Sequence, residues 1–483
     1  MNQLDLSTEF QDALNSAADR LKSWVNSGET IRVSGHIDAD GLSAAGILSS
    51  MLLRMRANFH TRILPQLEPN YIEDLAKEKR KYYIFSDFGS GQVNLLTKSL
   101  PKEEIIILDH HEPLSSSEKS SNILELNSHL FGINGSNDIS AAGMCFLFSY
   151  AVDSCKNLDL LPLALVGAVG DIQDKDKQHS FTGINKKLVE LGVEQNLIKV
   201  EKDLYFQYRE MKPIHEALME TNEPFLPELT GNEAACLRFL SNIGIPLHAG
   251  ENQRTISDLS TNEKKVLTSQ LTQLILSHNG TPEQANSLIS TNYLIINEKE
   301  SYLKDIREFS QLLNACGRTR NPGIGIAVCM GDRDIHFKHA QDILLNYLKK
   351  VNSFLDSLKH PGKIQETDYV QYFYGEDLDE TMIGTITTIA TKTKIANKVL
   401  IGFAACEDGS YKISARAQDM FINKGVNLGH AMRETIAKLG LDPSKFIAGG
   451  HDAAAGTRIP KSYDKLFIET LNKVVEEQIS KKR

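Results

Sequence analysis

The chain has 483 residues, 41% of them apolar, with 53 Lys and Arg against 62 Asp and Glu and a formal net charge of −9. That length suits roughly two or three domains with real cores, and the acid excess argues against non-specific nucleic-acid binding over the whole surface while leaving room for a local basic groove. No apolar run reaches the ~20 residues of a membrane span, residues 1–19 are too acidic for a signal peptide, and six scattered cysteines (Cys145, Cys155, Cys236, Cys316, Cys329, Cys406) form no CxxC pair, so the expectation is a cytoplasmic protein with core thiols and no membrane contact.

Phe10, Leu14, Ala17, Ala18, Leu21 and Trp24 recur at helical spacing and predict an amphipathic helix over 7–26 whose aromatic stripe belongs to the core. Ile31 to Val33 reads as a short strand. In SGHIDADGLSAAGIL, residues 34–48, His36, Asp38 and Asp40 alternate, and on an extended backbone all three would point to one side, with Gly41 ending the strand and Ser43 to Gly46 opening a small-residue helix. Three ionisable groups converging there would repel and lose hydration unless a cation sat among them. The bland alternative is a solvated acidic loop.

His60 to Leu64 predicts a strand, Tyr71 to Lys79 a helix, and Tyr82 to Phe85 a strand that runs into Asp87. After a helix over 91–98 comes IIILDHHEP, Ile105 to Pro113, a β-branched run of the kind buried on both faces of a parallel sheet. It delivers Asp109, His110 and His111 at its carboxyl end, where open α/β sheets bind ligands. Ser115 to Ser121 reads as a polar loop, Ile123 to Leu126 as a strand and Ile139 to Val152 as a helix. A further helix, Leu160 to Val169, is closed by Gly170 and delivers Asp171, a carboxylate at a helix C-terminus that needs a cation or donor nearby. Asp174 follows in the loop, open to a supporting role behind the site but read first as a surface acid. This alternation predicts an α/β fold with a parallel sheet and right-handed crossovers.

From 184 to 300 helical periodicity dominates (Lys186 to Leu191, Val200 to Leu218, Asn232 to Ile243, Glu263 to Leu276), without metal-type clusters, and reads as a helical insertion open to a partner-binding role. A strand pattern returns at Tyr293 to Ile296, and a helix over Ile306 to Cys316 leads into NACGR, residues 314–318, where Arg318 and Arg320 are candidates for phosphate contact. Ala340 to Leu358 reads as a long connecting helix, with Pro361 and Gly362 as a linker. The last domain begins near 365, with strands Tyr369 to Tyr374, Lys398 to Ala404 and Tyr411 to Ala417, the last carrying Ser414 and Arg416 on one parity, and helices over 380–392, 427–439 and 466–479. In FIAGGHDAAAGTRI, residues 446–459, Gly449 and Gly450 let the backbone approach an anion beside His451, which with Arg416 makes a candidate phosphate corner.

Collected, His36, Asp38, Asp40, Asp87, Asp109, His110, His111 and Asp171 offer oxygen and nitrogen without sulfur. That donor set suits two Mn²⁺ or Mg²⁺ ions better than Zn²⁺, and imidazole tilts the choice toward Mn²⁺. Two such ions suit in-line displacement at phosphorus, which makes phosphoester or phosphoanhydride hydrolysis the expected reaction class.

The motifs HIDADG, SDFG, LDHH, GD and GGHDAAAG follow in the order of the DHH phosphoesterase family with a DHHA1 C-terminal domain, and the resemblance covers nearly the whole chain. Length, the single His before the DxD pair, the insertion and the lack of an added nucleic-acid barrel resemble the archaeal RecJ-like, GINS-associated nucleases, and NACGR resembles an element of bacterial RecJ. In the eukaryotic replication-factor relative the metal motifs are degraded; here they are intact.

The resemblance implies a parallel-sheet DHH domain at 1–183 and 301–338, a mostly helical insertion at 184–300, a connecting helix and linker at 339–364 and a smaller α/β DHHA1 domain at 365–483, with the active site in a cleft between the two main domains. His36, Asp38 and Asp87 would hold one ion and Asp40, Asp87, His110 and Asp171 the other. Asp109 would orient His110 or else ligate directly, and His111 would donate to the phosphate or the leaving oxygen. Arg416, Ser414, His451, the Gly449 and Gly450 backbone and Arg318 would hold substrate. The implied function is a Mn²⁺-dependent exonuclease on single-stranded nucleic acid, DNA from the 5′ end in first place, RNA and the opposite polarity remaining open. It would release nucleoside 5′-monophosphates and work with the GINS and replicative helicase complex. The alternatives are a nano-RNA or nucleotide-bisphosphate phosphatase, and a GINS-bound scaffold with incidental nuclease activity.

Overall fold

The computed structural model describes residues 4–481 except 114–119, 175, 177, 222–223, 393–394, 396, 443–444 and 447, so most of the expected loop at Ser115 to Ser121 lies outside the described residues. It divides into two compact units, Met1–Leu344 and Leu345–Arg483.

The first unit is built on five strands, β1 (Ile31–His36), β2 (Phe59–Leu64), β3 (Tyr82–Ser86), β4 (Glu104–Asp109) and β5 (Ile123–Asn127), all parallel in the order β2-β1-β3-β4-β5. Helices α1 (Thr8–Asn26), α2 (Ala39–Arg54), α3 (Pro69–Lys77) and α4 (Val93–Ser99) alternate with the first four strands. After β5 come α5 (Ala141–Val152), α6 (Ser154–Asn157), α7 (Leu161–Gly170) and α8 (Gly183–Glu194). Ile105 to Leu108 of β4 are fully buried, as a branched run between two neighbouring strands should be. Strand order reverses between β1 and β3, and such a switch opens a crevice at the carboxyl ends of the strands.

The extended reading of residues 34–40 does not hold. β1 stops at His36, Asp38 is the N-cap of α2 with its side chain accepting the Gly41 N–H at 2.9 Å, and Asp40 lies in the first helical turn. Asp is among the best N-caps, and the small residues that follow continue a helix that packs closely on its neighbours. Asp38 therefore meets His36 through cap geometry and not through strand parity, while Asp40 turns toward His110.

The segment after α8 contains β6 (Ile198–Leu204), α9 (Ile214–Glu220), α10 (Glu233–Asn242), β7 (His248–Ala249), β8 (Asn252–Gln253), α11 (Thr261–Ser277), α12 (Pro282–Asn286) and β9 (Ile289–Ile295). Leu204, Ile214, Leu218, Leu240, Leu267 and Leu271 belong to a core of its own. The expected helix over Val200 to Leu218 is corrected: Ile198–Leu204 pairs antiparallel with β9, Glu201 and Asp203 face Arg209, and a helix starts only at Ile214. The chain then continues through α13 (Ser301–Lys304), α14 (Ile306–Arg318), α15 (Pro322–Cys329) and α16 (Ile335–Leu358), so that NACGR closes α14 instead of following it.

The second unit holds β10 (Gln365–Glu366), β11 (Val370–Gly375), α17 (Ile383–Lys392), β12 (Val399–Ala405), β13 (Ser410–Arg416), α18 (Asp419–Ile422), α19 (Leu428–Lys438), β14 (Gly449–Gly450), β15 (Ala454–Pro460) and α20 (Asp464–Lys481). Its six strands run in the order β10-β11-β12-β13-β15-β14, over a core that includes Phe403, Ile413, Met432, Phe467 and Leu471. All six cysteines are free, and only Cys155 is exposed. Among the described residues no helix is long and apolar enough to cross a membrane.

Candidate metal centre

The crevice of the parallel sheet collects the acidic and imidazole groups. His36 ends β1, Asp38 caps α2, Asp40 begins α2, Asp87 follows β3, His110 and His111 follow β4, and Asp171 caps the C-terminus of α7. His36 Nδ1 lies 2.8 Å from Asp38 Oδ2 and 3.4 Å from Asp87 Oδ2. On the other side His110 Nε2 lies 3.3 Å from Asp87 Oδ1, 3.2 Å from Asp171 Oδ2 and 3.7 Å from Asp40 Oδ2. Three sets of side chains bring their donor atoms within 4.8 Å of one another: His36, Asp38 and Asp87; Asp40, His110 and Asp171; and Asp87, His110 and His111. Asp87 reaches both sides, one oxygen to each. Its backbone is left-handed, at φ 64°, a conformation that non-glycine residues adopt at a cost and that clusters at functional sites.

Crowding sets the charge states. Burial alone would lower His36 and His110, but the carboxylates around them hold both imidazoles well above their ordinary value. Burial pushes Asp171 up to about 7, assisted by Asp38 and Asp87 and opposed by His110. Burial, Asp171 and Asp87 likewise raise Asp40. Asp38, despite burial, is held well below the carboxylate range by His36, the Gly41 N–H and the charge of Arg318.

Asp87 Oδ2 and His110 Nε2 are buried and lack a hydrogen-bond partner. Buried polar atoms are rarely left so, and two orphaned atoms in an all-oxygen and nitrogen cluster fit divalent cations.

The surrounding contacts revise two expectations. Asp109 Oδ1 accepts the backbone N–H groups of His110 (2.8 Å) and His111 (3.1 Å) and the His111 Nδ1–H (2.9 Å), while Oδ2 accepts the Ser90 N–H (3.0 Å). Its side chain thus orients His111 and not the His110 ring. Asp174 is no surface acid: it is buried and pairs with Arg307 Nη2 of α14 at 2.9 Å. Asp40 was expected only as a ligand, yet its two oxygens also accept the Ala141 and Ala142 N–H groups at 2.7 and 2.9 Å, tying the N-terminus of α5 to the cluster. NACGR packs on the same loop, with Asn314 Oδ1 accepting the Ala39 N–H at 3.1 Å. Gly317 is needed there, because a Cβ would lie 1.6 Å from Ile37 O.

Models of three domains match the chain: the DHH family N-terminal domain over residues 30–167, the DHH-CID domain over 206–289 and the DHHA1 domain over 367–481. An uncharacterized protein of Methanocaldococcus jannaschii is 33% identical over 459 residues, 93% of this chain and 94% of that one. The chain belongs to the DHH/DHHA1 family.

The DHH/DHHA1 architecture recurs in solved structures whose low identity makes the likeness one of fold. RecJ of Thermus thermophilus in complex with Mn²⁺ has a TM-score of 0.59 at 16% identity, over 96% of this chain but only 55% of that chain, so this protein spans little more than half of it. An exonuclease RecJ bound to manganese has a TM-score of 0.57 at 16% identity, covering 97% of this chain and 96% of that one. CDC45 of Entamoeba histolytica has a TM-score of 0.65 at 12% identity, covering 96% and 99%. The DHH phosphoesterase fold and its acidic clusters mark a hydrolase site suited to divalent metal.

Within the DHHA1 unit, Arg416 donates from Nε to Thr388 Oγ1 (2.8 Å) and from Nη1 to Ser414 Oγ (3.1 Å) and Ala415 O (2.8 Å). Ser414 and Arg416 are thus brought together on β13, and the register sets Arg416 opposite Ala454. His451 is exposed in the turn between β14 and β15, its N–H donating to Ala454 O at 2.8 Å. Of the two glycines before it, Gly450 takes the left-handed φ, 137°, and a Cβ there would meet Ala454 O at 2.3 Å. Sequence reasoning missed Thr388, Gln173 and Arg307 and the contact that Asn314 makes; a polar side chain carries no local signal of a partner that lies far along the chain.

Proposed function

We propose that this protein is a two-metal phosphodiesterase of the RecJ type, a single-strand exonuclease that releases nucleoside 5′-monophosphates. DNA attacked from the 5′ end is the leading substrate, and replication or repair the setting. The observation that carries this reading is Asp87, one oxygen facing His36 and Asp38 and the other facing His110, so that two donor sets share a single carboxylate. His36, Asp38 and Asp87 would hold one cation, and Asp40, Asp87, His110 and Asp171 the other, with Mn²⁺ preferred over Mg²⁺. Bound there, the pair supplies Lewis acidity at the phosphoryl group and an activated water.

The protein's own groups do the rest. Asp109 holds the His111 ring by its Nδ1–H and keeps it charged, so that Nε2–H is available to a phosphate oxygen or the departing oxygen. Arg318, whose charge reaches Asp38, would face the polyanion, and within the second unit Arg416, Ser414, His451 and the Gly449 and Gly450 backbone would bind substrate. Likeness in fold to RecJ in complex with Mn²⁺ and to an exonuclease RecJ bound to manganese supports this reading.

A second reading makes the chain a component of a replication complex that binds GINS through the 184–300 segment. Full-length fold likeness to CDC45 and the DHH-CID match support it.

Digestion of 5′- and 3′-labelled single-stranded DNA and RNA with Mn²⁺, with EDTA and Asp87→Ala as controls, tests both. Stepwise mononucleotide release from long strands is expected. Consumption of only dinucleotides or a nucleotide bisphosphate would instead make the protein a short-substrate phosphatase, and complete inactivity would leave the scaffold.

A further inference from the structure

His110 offers Nε2 to Asp87, Asp171 and Asp40, and its other nitrogen is held from behind. Nδ1 lies 2.6 Å from Gly135 O, and a carbonyl can only accept, so Nδ1 carries a proton and Nε2 is the nitrogen left to ligate a cation, which would displace any proton there. The same carbonyl accepts a second bond, from Gln173 Nε2 at 2.9 Å, and that nitrogen also donates to Ile139 O at 3.2 Å. Gln173 Oε1 in turn accepts Asn185 Nδ2 of α8 at 2.6 Å. The amide orientation follows from its partners, two carbonyls on one side and a donor on the other. Gln173 and Asn185 are 2% and 0% exposed, so water does not compete for these bonds. A Cβ on Gly135 would lie 1.8 Å from His110 O, so this turn reaches His110 only as glycine.

We propose that Gln173 is a positioning residue of the metal site, clamping the Gly135 to Ile139 turn so that its carbonyl fixes the tautomer and direction of His110, with Asn185 fixing Gln173. The inference rests on the two-metal reading and deepens it. It gives the loop after α7 two tasks: Asp171 faces the cations from the front and Gln173 sets an imidazole from the rear. Groups behind a ligating histidine typically govern metal affinity by about 10–100-fold.

The test is Mn²⁺ titration of the full chain by calorimetry, alongside the melting temperature of the EDTA-treated protein. Gln173→Met keeps the volume and removes both donated bonds; it is expected to weaken Mn²⁺ binding by at least about tenfold. Asn185→Leu, which leaves Gln173 in place but unheld, should weaken binding in the same direction by a smaller factor, and it decides the matter alone if Gln173→Met does not fold. In a His110→Ala background, Gln173→Met should add no further loss, because its effect passes through that ring. A merely structural role would lower the melting temperature and leave the Mn²⁺ affinity of the folded protein unchanged. Wild-type binding with undiminished affinity in both variants, or an equal loss with and without His110, overturns the inference alone. A wild type that binds no Mn²⁺ overturns the two-metal reading and this inference with it.

Discussion

Asp109 and His111, two residues apart, form a bonded pair in which His111 Nδ1–H meets Asp109 Oδ1 at 2.9 Å while two backbone N–H groups share the same oxygen. Burial alone would lower the imidazole, but the bond and charge of Asp109 outweigh it and raise His111 to about 9. A cation of that kind at the rim of the metal-type cluster is suited to donate to a phosphate or leaving oxygen throughout the neutral range. His111→Ala should therefore lower kcat by about 10²- to 10⁴-fold, the usual worth of a positioned proton donor. In Asp109→Asn the high-pH limb of the kcat/KM profile should move toward lower pH; a limb that stays in place would take His111 out of the role of acid.

The same pair makes stability depend on pH. His111 binds its proton more tightly in the folded chain, at about 9 against an ordinary 6.5, so its contribution is fully present below pH 6.5 and is lost as pH rises through about 9. With EDTA present, the melting temperature should fall between pH 6.5 and 9, and Asp109→Asn should flatten the fall. A wild-type curve without slope in that window would contradict the pairing.

Asp87 should separate function from folding. Its φ of 64° suits glycine better than any side chain, so Asp87→Gly removes the carboxylate without straining the turn. Expected outcomes are loss of turnover and of Mn²⁺ affinity, with a melting temperature in EDTA no lower than that of wild type. Near-normal turnover would overturn the proposed place of Asp87 between two cations.

Arg307 joins the loop that carries Asp171 to the segment after it, donating through Nη2 to Asp174 Oδ2 and Thr291 O, both at 2.9 Å, with its guanidinium carbon 4.8 Å from the ring centre of Tyr205. Removing one partner of a buried pair leaves a buried charge behind and typically costs about 3–5 kcal/mol. Chemical denaturation of Arg307→Ala should show a loss of that size, and a loss below about 1 kcal/mol would rank the pair with surface ion pairs.

In the second unit Arg416 is held by Thr388 and Ser414, which preorganise its guanidinium. Arg416→Ala is expected to raise KM for oligonucleotides far more than it lowers kcat, because it removes binding shared by ground and transition states. Thr388→Val should do the same to a lesser degree. Equal losses in kcat and kcat/KM would instead place Arg416 at the reacting phosphate.

Much of the site could be read from the chain, because its residues follow strand-like runs whose ends are marked locally. Ile105 to Leu108 reads as a buried strand, and Asp109, His110 and His111 follow it; Asp87 after Tyr82 to Ser86 is placed by the same reasoning, and Asp171 by the end of the helix Leu161 to Gly170. The turn from strand to helix at Asp38 was misread, since a period-two pattern of acids is also what an N-cap and first helical turn produce. Ile198–Leu204 was misread as helix because its strand identity depends on a partner, Ile289–Ile295, that lies far along the chain.

Composition, spacing and strand periodicity by themselves thus determined the parallel sheet, the ends at which the candidate ligands stand and the oxygen and nitrogen character of the donor set. Only the tertiary structure decided which oxygen of Asp87 faces which side, that Asp109 serves His111, that Asp174 is buried against Arg307, and that Gln173 and Asn185 stand behind His110. The physical reason is range: periodicity is a property of neighbouring residues, whereas the direction of a buried polar group is set by the donor or acceptor that folding brings to it, and Arg307 lies 133 residues from Asp174.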